Sequence, residues 1–542
     1  MPHTTRLLLV TALVGAACAS RLPAQDDHDH QHETLGHVMF PVSCNPEAQA
    51  RFERAMALLH SFWWEEGARA FKAVAVADTT CAMAYWGLAL NAWGNPFVGG
   101  PSGDHLRKGA AAAIRAQAIP TPTVRERGFI AAVGALYRDY ESVPNAERLQ
   151  AYSDTLARLS RDVPDDPEVA IYYALSLVTT ASPTDTTFVR QRQAAAILNP
   201  LFRRFPRHPG LAHYLIHAND SPELAPLGLD AARRYAEIAP SAPHAQHMPS
   251  HIFIRLGLWD ETIAANQRSL AAGVAYARAQ NLGGVAPEQF HAIDYMVYGY
   301  LQEGRDSAAR RTVDEGLALT TVLTSDALVT NYNRVAMEAR LPLERGDWAA
   351  AARLPVRAAG KGDIGEALAH FARGIGAARS GNTAQARAEV AALAGIEASL
   401  AGQSGYNWSR IVGIKKQAVT AWVLFAAGDT AGALREAKAA ADLEDVTEKH
   451  PVTPGELLPA RELEGDLLLA AGRYGDARVA YESTLRRERR RSRSLFGVAR
   501  AAELAGDRST ARARYTEYLA QMQGGDGGRP AVETARRALA RL

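Results

Sequence analysis

The sequence predicts an all-α protein assembled from repeated helical hairpins, and three observations carry that prediction. Alanine is abundant and β-branched runs are few, and alanine has the best intrinsic helix propensity. Landmarks near the C-terminus recur at a fixed interval: Gly465, Gly472, Ala477 and Tyr481 are followed 34 residues later by Ala499, Gly506, Ala511 and Tyr515. Candidate turn glycines continue backwards at Gly428, Gly381, Gly346, Gly304 and Gly257, spaced by 47, 35, 42 and 47 residues, so the array is degenerate and carries insertions. A period of this kind marks units that bury their apolar faces against one another.

At 542 residues the chain exceeds one ordinary core, so it is either a repeat array or about three to four separate domains. Hydrophobic residues at 47% and charged residues at 22% are globular proportions and exclude a largely disordered chain. Lys+Arg 60 against Asp+Glu 58 leaves +2, too small a surplus to neutralise a phosphate backbone. Neither nucleic acid nor an anionic membrane is an expected partner.

Taken in order, residues 1–24 read as an export signal: His3 and Arg6 form a polar start, Leu7 to Ala19 is apolar, and Ala24 supplies a cleavage point. A periplasmic or extracellular location follows. Lipid anchoring at Cys18 is the alternative, although Gly15-Ala16-Ala17-Cys18 lacks the leucine usual at the start of that box. Beyond the signal no apolar run approaches the roughly 18 residues of a membrane span. Residues 25–37, with His28, His30, His32 and His37 among aspartates, read as a flexible leader that either captures divalent metals or is simply solvated. Once Cys18 leaves with the signal, Cys44 and Cys81 remain, and export favours a disulfide between them over two buried thiols. That bridge would close a loop of about 36 residues and contribute on the order of 3 kcal/mol in the chain-entropy model.

Residues 38–205 form an N-terminal helical region. Phe62 to Ala89 reads as the second helix of one hairpin running into the first helix of the next. Alanine-rich helical patterns follow at 104–118, 124–139, 146–162, 166–180 and 187–204, divided by Pro and Asp/Ser clusters. A central region, 206–390, and C-terminal repeats, 391–522, continue the array. The basic run Arg486 to Arg493 reads as a solvated helix end. Residues 523–542 read as a glycine-rich joint and a capping helix, which an open array needs.

The landmarks at 465–481 and their recurrence resemble the tetratricopeptide repeat, with its small residue, turn glycine, alanine and aromatic. The strings LLHSFWWEEGARAF, CAMAYWGLAL, HMPSHIFIRLGLWDE and LPARELEGDLLLAAGRYGDA look like a group of exported bacterial tetratricopeptide proteins. The resemblance covers nearly all of residues 36–522. It implies a tetratricopeptide-type solenoid, a right-handed superhelix, and brings no activity with it.

Histidine placement is the other informative feature. Seven of the 16 histidines fall between 208 and 291. His213 and His217 sit four apart on one helical face, and His247 and His251 repeat that spacing 34 residues later, at equivalent distances before turns at 223 and 257. Carried to the turn at Gly304, the same offsets land on Asp294 and Tyr298, and an offset of thirteen links His244 to His291. The resemblance implies that these eight residues line one concave groove, because the first helices of tetratricopeptide hairpins face it. His213, His217, His247 and His251 are then candidate ligands for one transition metal ion (Zn, Cu or Fe), and His244, His291, Asp294 and Tyr298 are groove residues. The competing readings are a groove for a protein, peptide or small ligand, and plain structural hydrogen bonding. Pro249 bears on the choice: if it opens a helix, His247 falls in the preceding turn and the two pairs need not be congruent.

No H-E-x-x-H, G-x-S-x-G, Walker, dinucleotide-glycine or haem-attachment motif is present. The expected function is therefore an exported binding or scaffold solenoid. The alternative is an enzyme with an open metal position in the same groove, with Asp220, Asp294 or Glu288 moving the proton.

Overall fold

The computed structural model describes residues 33–97, 100–182, 185–323, 327–357, 363–403 and 405–542. The export signal, Cys18 and residues 25–32 of the leader lie outside the described residues. The packed unit runs from Leu35 to Leu542. Leu35, Val38 and Phe40 are buried in its first core cluster, and the His37 amide donates to the Arg207 carbonyl at 2.9 Å, so packing begins inside the stretch expected to be leader.

The described chain is all-helical, and consecutive helices pack as hairpins. The first four hairpins are α1 (Pro46–His60) with α2 (Trp64–Ala77), α3 (Ala82–Trp93) with α4 (Gly103–Ala118), α5 (Val124–Tyr137) with α6 (Asn145–Asp162), and α7 (Pro167–Thr179) with α8 (Val189–Arg204). The central hairpins begin with α9 (Pro209–Asn219) and α10 (Ala225–Ile238). In the next, a broken first helix, α11 (Pro243–His247) and α12 (Pro249–Leu256), packs on α13 (Trp259–Ala279). Then come α14 (Pro287–Gln302) with α15 (Asp306–Ala318), and α16 (Ala327–Arg345) with the short α17 (Trp348–Ala351). The array closes with α18 (Ile364–Arg379) and α19 (Thr383–Leu400), α20 (Trp408–Ala426) and α21 (Thr430–Asp445), α22 (Ala460–Ala470) and α23 (Tyr474–Arg487), α24 (Ser492–Leu504) and α25 (Arg508–Gln521), and the capping helix α26 (Pro530–Arg541). This is a tetratricopeptide-type helical-hairpin solenoid.

The local signals act as their chemistry requires. All seven turn glycines, from Gly257 to Gly506, adopt φ between 68° and 87°, the left-handed conformation that ends a helix at no Cβ cost. Prolines open α9, α12 and α14 at the first turn, where the missing N–H has no helical partner to lose. Small residues permit close approach. Tyr481 fills the space between Gly465 of its own hairpin and Gly497 of the next, where an added Cβ would come within 2.8 and 2.6 Å of the ring. Core clusters succeed one another along the array, from Leu35 to Ala265, Ile263 to Leu341 and Tyr332 to Leu467, as expected when each unit packs on its neighbours. The Cys44–Cys81 disulfide joins the start of α1 to the start of α3.

Contacts distant in sequence are numerous. Arg490 donates to the Gly257 carbonyl at 3.0 Å, and Arg529 pairs with Asp306. The basic run 486–493 is therefore a solvated helix end only in part: Arg486 and Arg490 are exposed, but its C-terminal arginines turn inward. Arg491 is fully buried, in contact with Glu344 and Glu462 at 2.8 Å each, and Arg493 reaches Glu462 and Asp466. Three acidic side chains, Glu344 of α16 with Glu462 and Asp466 of α22, come from two other segments to meet it, and Glu488 adds a fourth from within the run; one-dimensional charge counting does not register such an arrangement. Likewise the glycine-rich joint is anchored: the Asp526 amide donates to the Gly304 carbonyl at 3.0 Å.

Candidate metal centre

Two groups of three histidines converge in the central hairpins, and each is built from one helical pair plus one residue of the next hairpin. The first comprises His213 and His217 of α9 with His244 of α11. Its Nε2 atoms lie 3.1 Å (His213 to His217) and 3.2 Å (His213 to His244) apart. The second comprises His247 at the end of α11, His251 of α12 and His291 of α14, with 3.0 Å between the Nε2 atoms of His247 and His251. Pro249 does open a helix, but Met248 keeps right-handed helical angles (φ −52°, ψ −36°), so the broken helix stays aligned. The two pairs are congruent after all.

The outward side of each ring decides what the inward side can do. In the second group His247 Nδ1 donates to Asn266 Oδ1 at 2.6 Å, and Asn266 presents that oxygen because its amide nitrogen donates to the Thr262 carbonyl. His251 Nδ1 donates to Asp220 Oδ2 at 2.9 Å, and His291 Nδ1 to the Val452 carbonyl at 3.0 Å. All three partners are acceptors, so all three ring protons sit on Nδ1 and the Nε2 lone pairs point inward. His213 is fixed in the same way, donating from Nδ1 to the His60 carbonyl at 2.7 Å.

A second proton does not relieve this arrangement. Burial lowers the affinity of all six rings for protons, reinforced by neighbouring imidazoles at every ring but His251, where Asp220 opposes it and Lys449 and Arg255 add to it, and takes His247 down to about 3. Burial opposes ionisation of Asp220 too, but Arg255 and Lys449, with the His251 hydrogen bond, hold its carboxyl well below the usual range. Asp220 is thus a carboxylate acceptor for His251 and for Arg255 Nε at 2.9 Å. In the second group the result is three neutral imidazoles whose inward lone pairs face one another, the arrangement a cation resolves by accepting all three.

Aromatic rings wall the first group. Phe97 stacks on His217 at 4.0 Å between centroids, Phe62 lies against His213 and His244 at 4.4 and 5.6 Å, and Tyr235 stacks on His213 at 5.3 Å. A further buried cluster lies behind it: His60 Nε2 and His208 Nε2 both meet the Glu168 carboxylate, at 3.1 and 2.8 Å. There the Nδ1 of His208 accepts from the Leu211 amide and the Nδ1 of His60 pairs with the Tyr214 hydroxyl, so this cluster is satisfied within the protein.

The site differs from the sequence expectation in three respects. His213, His217, His247 and His251 do not form one four-residue shell, because each pair takes its third partner, His244 or His291, from the hairpin that follows. The signal was present as the offset of thirteen before the turn, but assigning that position to the preceding pair requires knowing how successive first helices lean on one another. Asp294 and Tyr298, expected beside the histidines, are engaged elsewhere. Asp294 forms a two-point ion pair with buried Arg340 at 2.7 and 3.1 Å, and the Tyr298 hydroxyl meets Glu488 and Arg491. Nor are most of these positions open to a groove: His213 and Asp294 are 0% exposed, His247 and His251 3%, and Tyr298 2%, while His217, His244 and His291 are half-buried. The connection between α21 and α22, residues 446–459, lies over the second group and the residues beside it, with Val452 on His291, Thr453 on Tyr295, and Thr453 and Gly455 on Arg340. Asn266, Val452 and Asp220 are the contributors that sequence reasoning missed or misassigned. None carries a local signature.

The fold and this cluster define a helical-repeat protein with a histidine-lined interior. No family model matches the chain, and no curated protein matches it in sequence. Similar solved structures include a human IFIT1 dimer with m7Gppp-AAAA, at 12% identity over 77% of this chain and 86% of that one, TM-score 0.38. Yeast Tom70 is similar at 11% identity over 91% and 96%, TM-score 0.34. The Cut9 to Hcn1 hetero-tetramer of the APC/C is similar at 12% identity over 91% and 90%, TM-score 0.31. At such scores these are loose likenesses.

Proposed function

We propose that this chain is an exported helical-repeat binding protein whose interior holds a transition metal on histidine nitrogens. The observation that carries the reading is the second group, His247, His251 and His291, in which each ring proton is donated outward to Asn266, Asp220 or Val452. Three fixed neutral imidazoles with oriented lone pairs are a ligand set for Zn, Cu or Fe. The Cys44–Cys81 pairing supports export to an oxidising compartment. A peptide in the groove is not part of the reading, since residues 446–459 lie over the second histidine group.

The test is elemental analysis of the full chain, with His28→Ala, His30→Ala and His32→Ala to remove the leader as a source of metal. Retained Zn, Cu or Fe that is lost on His213→Ala/His247→Ala supports the proposal, and metal-free protein sinks it. A metal-dependent enzyme is the second reading, favoured by the count of three protein ligands per group, which leaves a coordination position open. In that reading Asp294 is not the proton carrier, because Arg340 holds it, and Glu288 is exposed at the start of α14.

A further inference from the structure

We infer that the two histidine groups are halves of one dinuclear copper centre, an inference that rests on the metal-binding reading above. The groups adjoin: His244 and His247 have ring centroids 6.2 Å apart, and His217 and His251 6.5 Å. Separations inside the second group run from 4.4 Å (His247 to His291) to 6.0 Å (His251 to His291), so rings of different groups are hardly farther apart than rings within that one. His244 and His247 also lie three residues apart on the same short helix, α11, and serve different groups. Ions seated on the two sets of Nε2 atoms are close neighbours, in the manner of two-metal sites whose ions are about 3.5 to 4 Å apart.

The donor set selects the metal. All six ligands are neutral imidazoles and none is a carboxylate, which suits Zn, Cu, Fe or Ni and not the hard cations. The nearby charged side chains, Asp220 and Glu448 with Arg255 and Lys449, are equal in number of each sign and supply no net negative charge. Local charge therefore does not assist binding, and the metal held is one with a strong intrinsic affinity for imidazole. Copper is the imidazole metal with an accessible monovalent state, and its divalent form heads the affinity series.

The test adds Cu(II) to the metal-free full chain carrying His28→Ala, His30→Ala and His32→Ala. Expected are two retained equivalents and loss of the electron paramagnetic resonance signal of isolated Cu(II), because paired ions couple. His244→Gln and His291→Gln should each keep one equivalent and regain the isolated-ion signal, with circular dichroism confirming the helical fold. Two equivalents with the full isolated signal in the parent, or one equivalent only, would overturn the dinuclear centre and leave metal binding standing. No copper beyond that held by His213→Ala/His247→Ala overturns metal binding itself. X-ray absorption on the copper-loaded parent needs no variant, and absence of copper-to-copper scattering at about 3.5 to 4 Å counts against the inference.

Discussion

His247 and His251 bring their Nε2 atoms to 3.0 Å while each donates its ring proton the other way, to Asn266 and Asp220. No hydrogen is left between the two nitrogens. The orientation comes from partners outside the group, so removing a partner should change metal affinity without touching a ligand. Asn266→Leu is expected to weaken metal binding about 10- to 100-fold, the usual loss when an outer partner of a ligating histidine is removed. Equilibrium dialysis measures it, and unchanged affinity would show that the Asn266 acceptor does not poise the site.

Acid should destabilise the metal-free protein steeply. The six imidazoles are neutral when folded, with values depressed from 6.5 chiefly by burial, whereas the unfolded chain protonates them near 6.5. The unfolded state then binds more protons, so stability is fully present above about pH 6.5 and is lost as pH falls through the window that ends, for His247, near 3. Each such histidine withdraws about 1.4 kcal/mol per pH unit inside the window. Metal-free chain should unfold at higher pH than metal-loaded chain in an acid titration followed by circular dichroism, because bound metal competes with the protons. Coincident transitions would count against a site built from these rings.

The disulfide closes a sequence separation of 37 residues and ties the first hairpin to the second. Cys44→Ala/Cys81→Ala is expected to cost on the order of 3 kcal/mol. Urea unfolding of the intact and altered chains gives the difference directly, and a loss below about 1 kcal/mol would mean that the surrounding packing already confines these ends.

Arg491 is the interior cation of the C-terminal repeats, in contact with Glu344 and Glu462. Arg491→Met keeps the volume and strips buried Glu344 of its ion pair while Glu462 keeps only Arg493, so destabilisation of about 3 to 5 kcal/mol is expected. Pairing it with Glu462→Gln should recover part of that loss in a double-mutant cycle. Additive effects would indicate that the pair is not coupled.

Local chemistry accounts for the elements that were legible in the chain. The helices expected at 104–118, 124–139, 146–162, 166–180 and 187–204 appear as α4 to α8 with ends shifted by no more than about two residues, within ordinary boundary scatter. Gly257 to Gly506 take the turns, since positive φ is a property of the residue itself and needs no distant partner. The H-x-x-x-H spacing marked both histidine pairs because three and four residues apart is one helical face whatever the surroundings.

Everything that depends on which surfaces meet was settled by tertiary packing. Grouping His244 with His213 and His291 with His247 follows from how neighbouring first helices lean together. The acceptors that orient the rings come from residues as far away as Val452, 161 positions from His291. Arg491 is another such case: a basic stretch looks solvated until Glu344 and Glu462 arrive from elsewhere in the array. Short-range preferences are written residue by residue, whereas burial, proton placement and charge compensation belong to contacts that exist only once the repeats have stacked.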